Sequence, residues 1–174
     1  MAASSEEKFL IEFKEQILYR FGENTKRISI CMDNLSETEV WYSPNESSNS
    51  AGTLILHLCG NITQYIISGL GGEPDIRERD KEFKGLHEYT KERLTEKLKS
   101  VTDKASGIIL NTGYEQLIKL YSIQGYLISG IAALVHVTEH YSYHTGQITM
   151  LTKIQKNTDV GFYSGLDLNR KNRE

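Results

Sequence analysis

Apolar residues recur at helical spacing through four stretches of the chain, and these stretches predict four helices. Residues 6–35 alternate apolar and charged positions, as expected of a long amphipathic helix with one buried face. Residues 52–68 carry a second apolar stripe, which ends at a glycine cluster typical of a helix stop. Residues 84–104 are mostly polar with a narrow stripe. Residues 126–154 are apolar almost all round and lack proline, which indicates a buried central helix.

Polar segments connect these helices. Residues 41–50 predict a loop that ends in a serine N-cap for the second helix. The charged residues 74–83 predict a solvated connection. Residues 105–113 are ambiguous, and residues 117–125 fit either a short extended segment or the beginning of a helix. With an irregular tail from residue 155, the simplest architecture is an all-α four-helix bundle.

Composition narrows the class of protein. The 174 residues predict a single domain spanning 1–174. The chain has 20 basic and 23 acidic residues and a net charge of -3, which argues against nucleic-acid binding by phosphate neutralisation. The longest nearly apolar stretch, residues 128–135, is far shorter than the roughly 18 residues of a membrane-spanning helix. The first residues show no secretory signal and the two cysteines form no disulfide scaffold, so we expect a cytoplasmic protein without membrane partners.

Three histidines in apolar helices are the strongest chemical signal. His140 and His144 are four residues apart, so both imidazoles lie on one helix face and can reach the same point. His57 lies beside the apolar stripe of the second helix. A shared divalent cation would satisfy three buried imidazoles at once and leave an open position, as in catalytic sites. The alternative is that each histidine bonds to a backbone carbonyl or a side chain and no metal binds.

Two further residues bear on the choice of ligands. His136 precedes His140 by four residues and could replace His144 as a ligand or stand just outside the site. We prefer His140 and His144, because Gln147 continues their face and could orient a bound water or ligand.

Other polar residues have less certain roles. Asn61 follows His57 by one turn, so it could bond to substrate or metal-bound water, or equally bridge two helices. Glu139 is turned away from its neighbour His140, but it could hold the outer ring nitrogen of a ligand histidine on another helix, or pair with a lysine. Arg77 could belong to a polar lid or an anion clamp, although a solvated loop is the default. His87, among charged residues, is predicted to lie on the surface.

These motifs together resemble the DinB-like superfamily of metal-dependent four-helix bundles. The resemblance covers residues 35–154. It depends on the His57 helix and on His140-x-x-x-His144 followed by Thr-Gly-Gln. The longer strings LSETEVWY (35–42), SAGTLILHLCGN (50–61), RERDKEF (77–83) and HYSYHTGQ (140–147) resemble an uncharacterised subgroup of this superfamily.

The resemblance implies a fold, a cofactor and partners. The fold would be an up-down-down-up, DinB/YfiT-like bundle that frequently forms homodimers. His57, His140 and His144 would hold a divalent ion, most commonly zinc or nickel, with iron or manganese as alternatives. Relatives include thiol transferases that use low-molecular-weight thiols, a thiol-dependent isomerase and proteins labelled only as hydrolases.

Three functions follow from a three-histidine site. The favoured one is a thiol-dependent S-transferase or conjugation activity on a small-molecule electrophile, because no carboxylate is clearly placed as a general base. The first alternative is a hydrolase that uses a metal-activated water. The second alternative is a non-catalytic helical dimer in which the metal only staples the bundle.

Overall fold

Four long helices dominate the structure, a computed structural model that describes residues 4–84 and 88–172. In chain order its helices are α1 (Ser5–Asn34), α2 (Glu37–Val40), α3 (Ala51–Ile62, continued by a π-helical turn over Thr63–Leu70), α4 (Arg79–Glu82), α5 (Lys91–Asn111), α6 (Tyr114–Ile118) and α7 (Gly130–Lys156). The strands β1 (Leu120–Ile123) and β2 (Tyr126–Ser129) form an antiparallel hairpin before α7. None of the described helices is long and apolar enough to cross a membrane.

The long helices pack as a bundle in which α1 and α3 each contact both α5 and α7. Lys14, near the beginning of α1, donates to the carbonyl of Leu110 near the end of α5, while Lys91 at the beginning of α5 donates to the carbonyl of Leu35 after α1. Helices α1 and α5 are therefore antiparallel.

Helix α7 runs in different directions relative to its neighbours α1 and α3. Thr25 of α1 contacts Tyr141, and Cys31, further along α1, contacts Thr149, so α1 and α7 are parallel. Helices α3 and α7 are antiparallel, as the contacts between their histidines described below show. The order of directions is up-down-down-up, which confirms the expected bundle.

Helix α3 lies at the centre of the core. Ser50, at the end of the predicted loop, accepts a hydrogen bond from the backbone N–H of Thr53 and so caps the helix, as the predicted serine N-cap requires. Every residue of α3 except Gly60 is buried. A helix that is buried on all sides fixes the direction of each of its side chains, and this rigidity matters for His57.

The third predicted helix begins later and ends later than the sequence pattern suggests. Thr90 caps α5 by accepting from the N–H of Arg93, so the helix begins at Lys91 rather than at residue 84. It continues through the ambiguous residues to Asn111. His87 lies outside the described residues, so its predicted surface position stays a prediction.

The fourth predicted helix is shorter at its beginning, because residues 126–129 form β2 instead. Gln124 and Gly125 both have positive φ angles, 52° and 81°, which suit the two-residue turn of a hairpin. The extended alternative is thereby confirmed for residues 120–123, whereas residues 117–118 are the end of α6. After Lys156 the described part of the tail contains no helix or strand, as expected.

Candidate metal centre

Three imidazole rings converge between α3 and α7. Nε2 of His140 lies 3.0 Å from Nε2 of His57. The ring centroid of His144 lies 4.3 Å from that of His140 and 5.1 Å from that of His57. One nitrogen from each ring lies within 4.8 Å of the other two. The sequence prediction that these residues meet at one point is confirmed.

The outer nitrogen of His57 is held by a buried ion pair. Nδ1 of His57 lies 2.8 Å from Oε2 of Glu82, whose other oxygen accepts from Nε of Arg77 at 2.7 Å. A second guanidinium nitrogen of Arg77 donates to Oε2 at 2.9 Å. The side chains of Arg77 and Glu82 are only 4% and 11% exposed.

The protonation of this group follows from its contacts. Burial alone would raise the pKa of Glu82, but hydrogen bonds from Arg77 and His57 hold that pKa below its ordinary value. The ionised carboxylate accepts a hydrogen bond from His57, so Nδ1 of His57 carries the proton. Nε2 of His57 then carries a lone pair directed at the other two histidines, which is the tautomer that metal-binding histidines adopt when a carboxylate supports them.

The outer nitrogen of His144 also has a hydrogen-bond partner, which is an uncharged amide. Nδ1 of His144 lies 2.6 Å from Oε1 of Gln147, and Nε2 of Gln147 donates to the hydroxyl of Tyr143 at 3.3 Å. The amide oxygen therefore faces His144, and Nδ1 carries the proton. Nε2 of His144 is buried and has no hydrogen-bond partner. A buried acceptor without a partner costs about 1–3 kcal/mol, so this atom calls for an explanation.

Burial keeps two rings of the cluster uncharged. It lowers the pKa of His140 to about 3, and the neighbouring His144 and His57 add to the effect. Burial also lowers the pKa of His144. Both rings are therefore uncharged near neutral pH and offer lone pairs. These lone pairs, the supported outer nitrogens of His57 and His144 and the unpartnered Nε2 of His144 fit a divalent transition metal.

Among the described residues, the three histidines have no further metal-ligating partner within their cluster. Across the described ranges 4–84 and 88–172, no carboxylate or thiol joins the three histidines in so compact a cluster. His140 is partly exposed. The rings of Phe83 and Tyr143 lie 5.0 Å from His57 and His144 and border the cluster. Three protein ligands with an open position are the arrangement of catalytic rather than structural zinc sites.

Most of the chain matches the model of one protein family. The model of the family described as "Protein of unknown function (DUF1572)", a DinB-like family, matches residues 8–166. The chain belongs to this DinB-like family. No match was found among curated proteins.

Two solved structures share the DinB-like fold. The DinB-like protein YjoA from Bacillus subtilis is 23% identical to this chain, with a TM-score of 0.63 over 83% of this chain and 94% of the other. A DinB-like protein from Bacillus cereus is 17% identical, with a TM-score of 0.66 over 84% of this chain and 94% of the other. These similarities confirm the fold class.

The other polar residues of this DinB-like chain lie at different distances from the cluster. The ring of His136 packs between the rings of Tyr65, at 4.4 Å, and His140, at 5.5 Å. His136 is thus a neighbour of the cluster. The third ring of the cluster belongs to His144, and not to His136, which was the alternative. Asn61 places Nδ2 3.4 Å from Nε2 of His136, so it bridges α3 and α7 beside the site.

The first of the two alternatives for Glu139 and the expectation for residues 74–83 are wrong. Glu139 is exposed, and Glu82 is the residue that holds the outer nitrogen of a cluster histidine. The connection over residues 74–83 is not simply solvated, because it contains α4 and folds Arg77 and Glu82 into the protein. A run of alternating charges is usually solvated. Here the guanidinium of Arg77 and the carboxylate of Glu82 are buried together and neutralise each other.

One signal in the sequence points to Glu82. Gly60 lies three residues after His57 in the middle of an apolar helix, where glycine costs about 1 kcal/mol relative to alanine. A Cβ at this position would overlap the carboxylate of Glu82 and come within 2.9 Å of Nε of Arg77. The missing side chain lets the ion pair reach His57, so this glycine marks a close approach.

Proposed function

We propose that this DinB-like protein is a divalent-metal-dependent enzyme that activates a low-molecular-weight thiol for transfer to a small electrophile. The observation that supports a bound metal is the unpartnered, buried Nε2 of His144, which lies in the cluster of three imidazoles. Zinc or nickel suits such a donor set, and His57, His140 and His144 would hold the ion. When bound, an ion that keeps its full charge on three neutral ligands lowers the pKa of a thiol or water that reaches it.

The surroundings favour a thiol over water as the nucleophile. Hydrolysis benefits from a carboxylate that can take a proton from the attacking water. Glu82 cannot serve, because Arg77 and His57 already occupy both of its oxygens. Glu139 is exposed and lies outside the cluster. A thiol needs no such base, since its proton can pass to solvent once its pKa falls near the ambient pH.

The chain's own residues then have defined tasks. The Glu82–Arg77 pair fixes the tautomer and direction of His57, and Gln147 does the same for His144. Phe83 and Tyr143 shield the cluster from bulk water. In the transfer itself, a sulfur–carbon bond forms as the bond from carbon to the leaving group breaks. The electron pair departs with the leaving group, and the thiol proton goes to solvent.

A thiol-consumption assay tests this function. Protein loaded with zinc or nickel is mixed with 1-chloro-2,4-dinitrobenzene and a small thiol, and loss of the thiol is followed. We expect a rate above background that disappears on chelation and in His140→Ala, and that persists in the control Glu139→Gln. Turnover that survives both chelation and His140→Ala would overturn the proposal. Ester hydrolysis without thiol would favour the metal-dependent hydrolase instead.

A further inference from the structure

The side-chain amide of Asn61 has an unexplained polar atom. Asn61 is 4% exposed, and its Oδ1 is buried without a hydrogen-bond partner. An acceptor in this state weakens the fold, and native proteins keep few of them. His144 Nε2 is the other such side-chain atom among the described residues, and a metal ion accounts for it. Asn61 Oδ1 is left without an internal explanation.

The position of this amide borders the histidine cluster. Asn61 follows His57 by one turn of α3, and its contact His136 precedes His140 by one turn of α7. The rings of His136 and His140 are nearly parallel, with an interplanar angle of 19°. Residues one turn apart have Cβ atoms about 5–6 Å from each other, which is the length of a small ligand. His136 is partly exposed, so this side of the cluster reaches the protein surface.

Its neighbour cannot supply the missing proton. An amide nitrogen can only donate, so Nδ2 of Asn61 donates to Nε2 of His136 and this ring nitrogen has no proton to give to Oδ1. No other described group donates to Asn61 Oδ1. Its donor is therefore sought in a molecule from outside the chain.

We propose that Asn61 Oδ1 accepts a hydrogen bond from the ligand that occupies the histidine cluster. The inference rests on the proposed function and specifies its substrate class. The preferred thiol carries a hydroxyl or amino group two or three bonds from sulfur, so that sulfur reaches the cluster while the O–H or N–H reaches Asn61. Asn61 is then a specificity-determining residue that rejects thiols without a donor at this position.

A matched pair of thiols tests the preference. 2-Mercaptoethanol and propane-1-thiol have the same number of heavy atoms, but only the first has a donor at the third position from sulfur. Binding of each to cobalt-substituted protein is followed by the sulfur-to-cobalt charge-transfer absorption, in the wild type and in Asn61→Leu. We expect the preference for 2-mercaptoethanol over propane-1-thiol to fall about tenfold in the variant, the worth of one buried hydrogen bond.

A stability measurement separates this role from a structural one. Asn61→Leu removes an unpartnered buried acceptor together with one long contact to His136, and because these effects oppose each other the metal-free variant should melt near the wild-type temperature. If Asn61 only bridged two helices, the variant would melt lower and the preference between thiols would not change. That result would overturn the inference.

A third thiol gives a test within the wild-type protein, independent of how the variant folds. 2-Methoxyethanethiol keeps the oxygen of 2-mercaptoethanol but lacks its O–H, and we expect it to bind about tenfold more weakly. Equal affinity of the two would overturn the inference and leave the proposed function standing. No charge-transfer band with any of the three thiols would overturn both.

Discussion

The polar groups on the two buried faces of α7 differ in whether they have hydrogen-bond partners. On the face toward α1, the hydroxyl of Tyr141 lies 2.8 Å from that of Thr25, and Thr145 donates to the carbonyl of Tyr141 at 2.8 Å. On the face toward α3, Nε2 of His144 has no partner, and Oδ1 of Asn61 on α3 has none either. The polar atoms named on the α1 face are satisfied within the protein, whereas these two atoms between α3 and α7 are not. One helix thus joins a packing face to the face that carries the candidate site.

The largest expected effect comes from removing a cluster ligand on the α3 face. His144→Ala should lower zinc affinity by more than about 100-fold, beyond the range seen when only the support of a ligand is changed. The metal-free variant should remain folded, because the unpartnered atom lost with the ring offsets part of the packing that is lost. Isothermal titration with zinc and a melt in chelator measure the two quantities.

The control for this change lies on the α1 face. Thr149→Val is expected to leave zinc affinity within a factor of about two, since Thr149 contacts Cys31 rather than the cluster. An affinity for zinc in His144→Ala close to that of the wild type would contradict the assignment of His144 as a ligand.

A core truncation on the α1 face should show the reverse pattern. Ile148 is fully buried, so Ile148→Ala should reduce the free energy of unfolding by about 2–5 kcal/mol through lost burial and a cavity. Zinc affinity of the folded protein should change little. Urea unfolding of the metal-free protein measures the stability. A change below about 0.5 kcal/mol, the size expected of a surface substitution, would show that this face is not the stabilising one.

The support of His57 should have an intermediate effect. Glu82→Gln removes the charge that fixes the tautomer of His57, and we expect zinc affinity to fall by about 10–100-fold. Glu139→Gln is the matched control, because Glu139 is exposed and adjoins His140 in sequence. Equal losses in the two variants would mean that a general field effect, rather than the contact at His57, sets the affinity.

The smallest effect concerns a single hydrogen bond on the α1 face. Tyr141→Phe removes the contact with Thr25, whose hydroxyl still donates to the carbonyl of Phe21 at 2.8 Å. We expect a loss of about 1 kcal/mol in the free energy of unfolding, measured in urea, and no change in zinc affinity. A loss of zinc affinity instead would show that the two faces are coupled.

The sequence predicts the parts of this protein that depend on local signals. Helix α1 begins and ends within a residue of the predicted bounds, because its apolar period is long and Ser4 forms a capping box with Glu7. The meeting of His140 and His144 follows from helix geometry alone. Only the addition of His57 required the assumption that two apolar helices pack together.

What the sequence does not predict depends on tertiary contacts. The beginning of α5 was placed too early because the apolar pattern continues upstream of its cap, Thr90. The role of Glu82 was missed because charged residues in a connection are normally solvated, and burial here requires both Arg77 as counter-ion and the space at Gly60. Such complementarity appears only when the chain has folded.

The most direct test is an anomalous-diffraction map of crystals grown from protein that was never exposed to a nickel column. The map should contain one metal ion per chain, ligated by Nε2 of His57, His140 and His144, with no fourth protein ligand. A map without an ion among these three rings, or with an ion closed in by a fourth side chain, would contradict a catalytic metal centre.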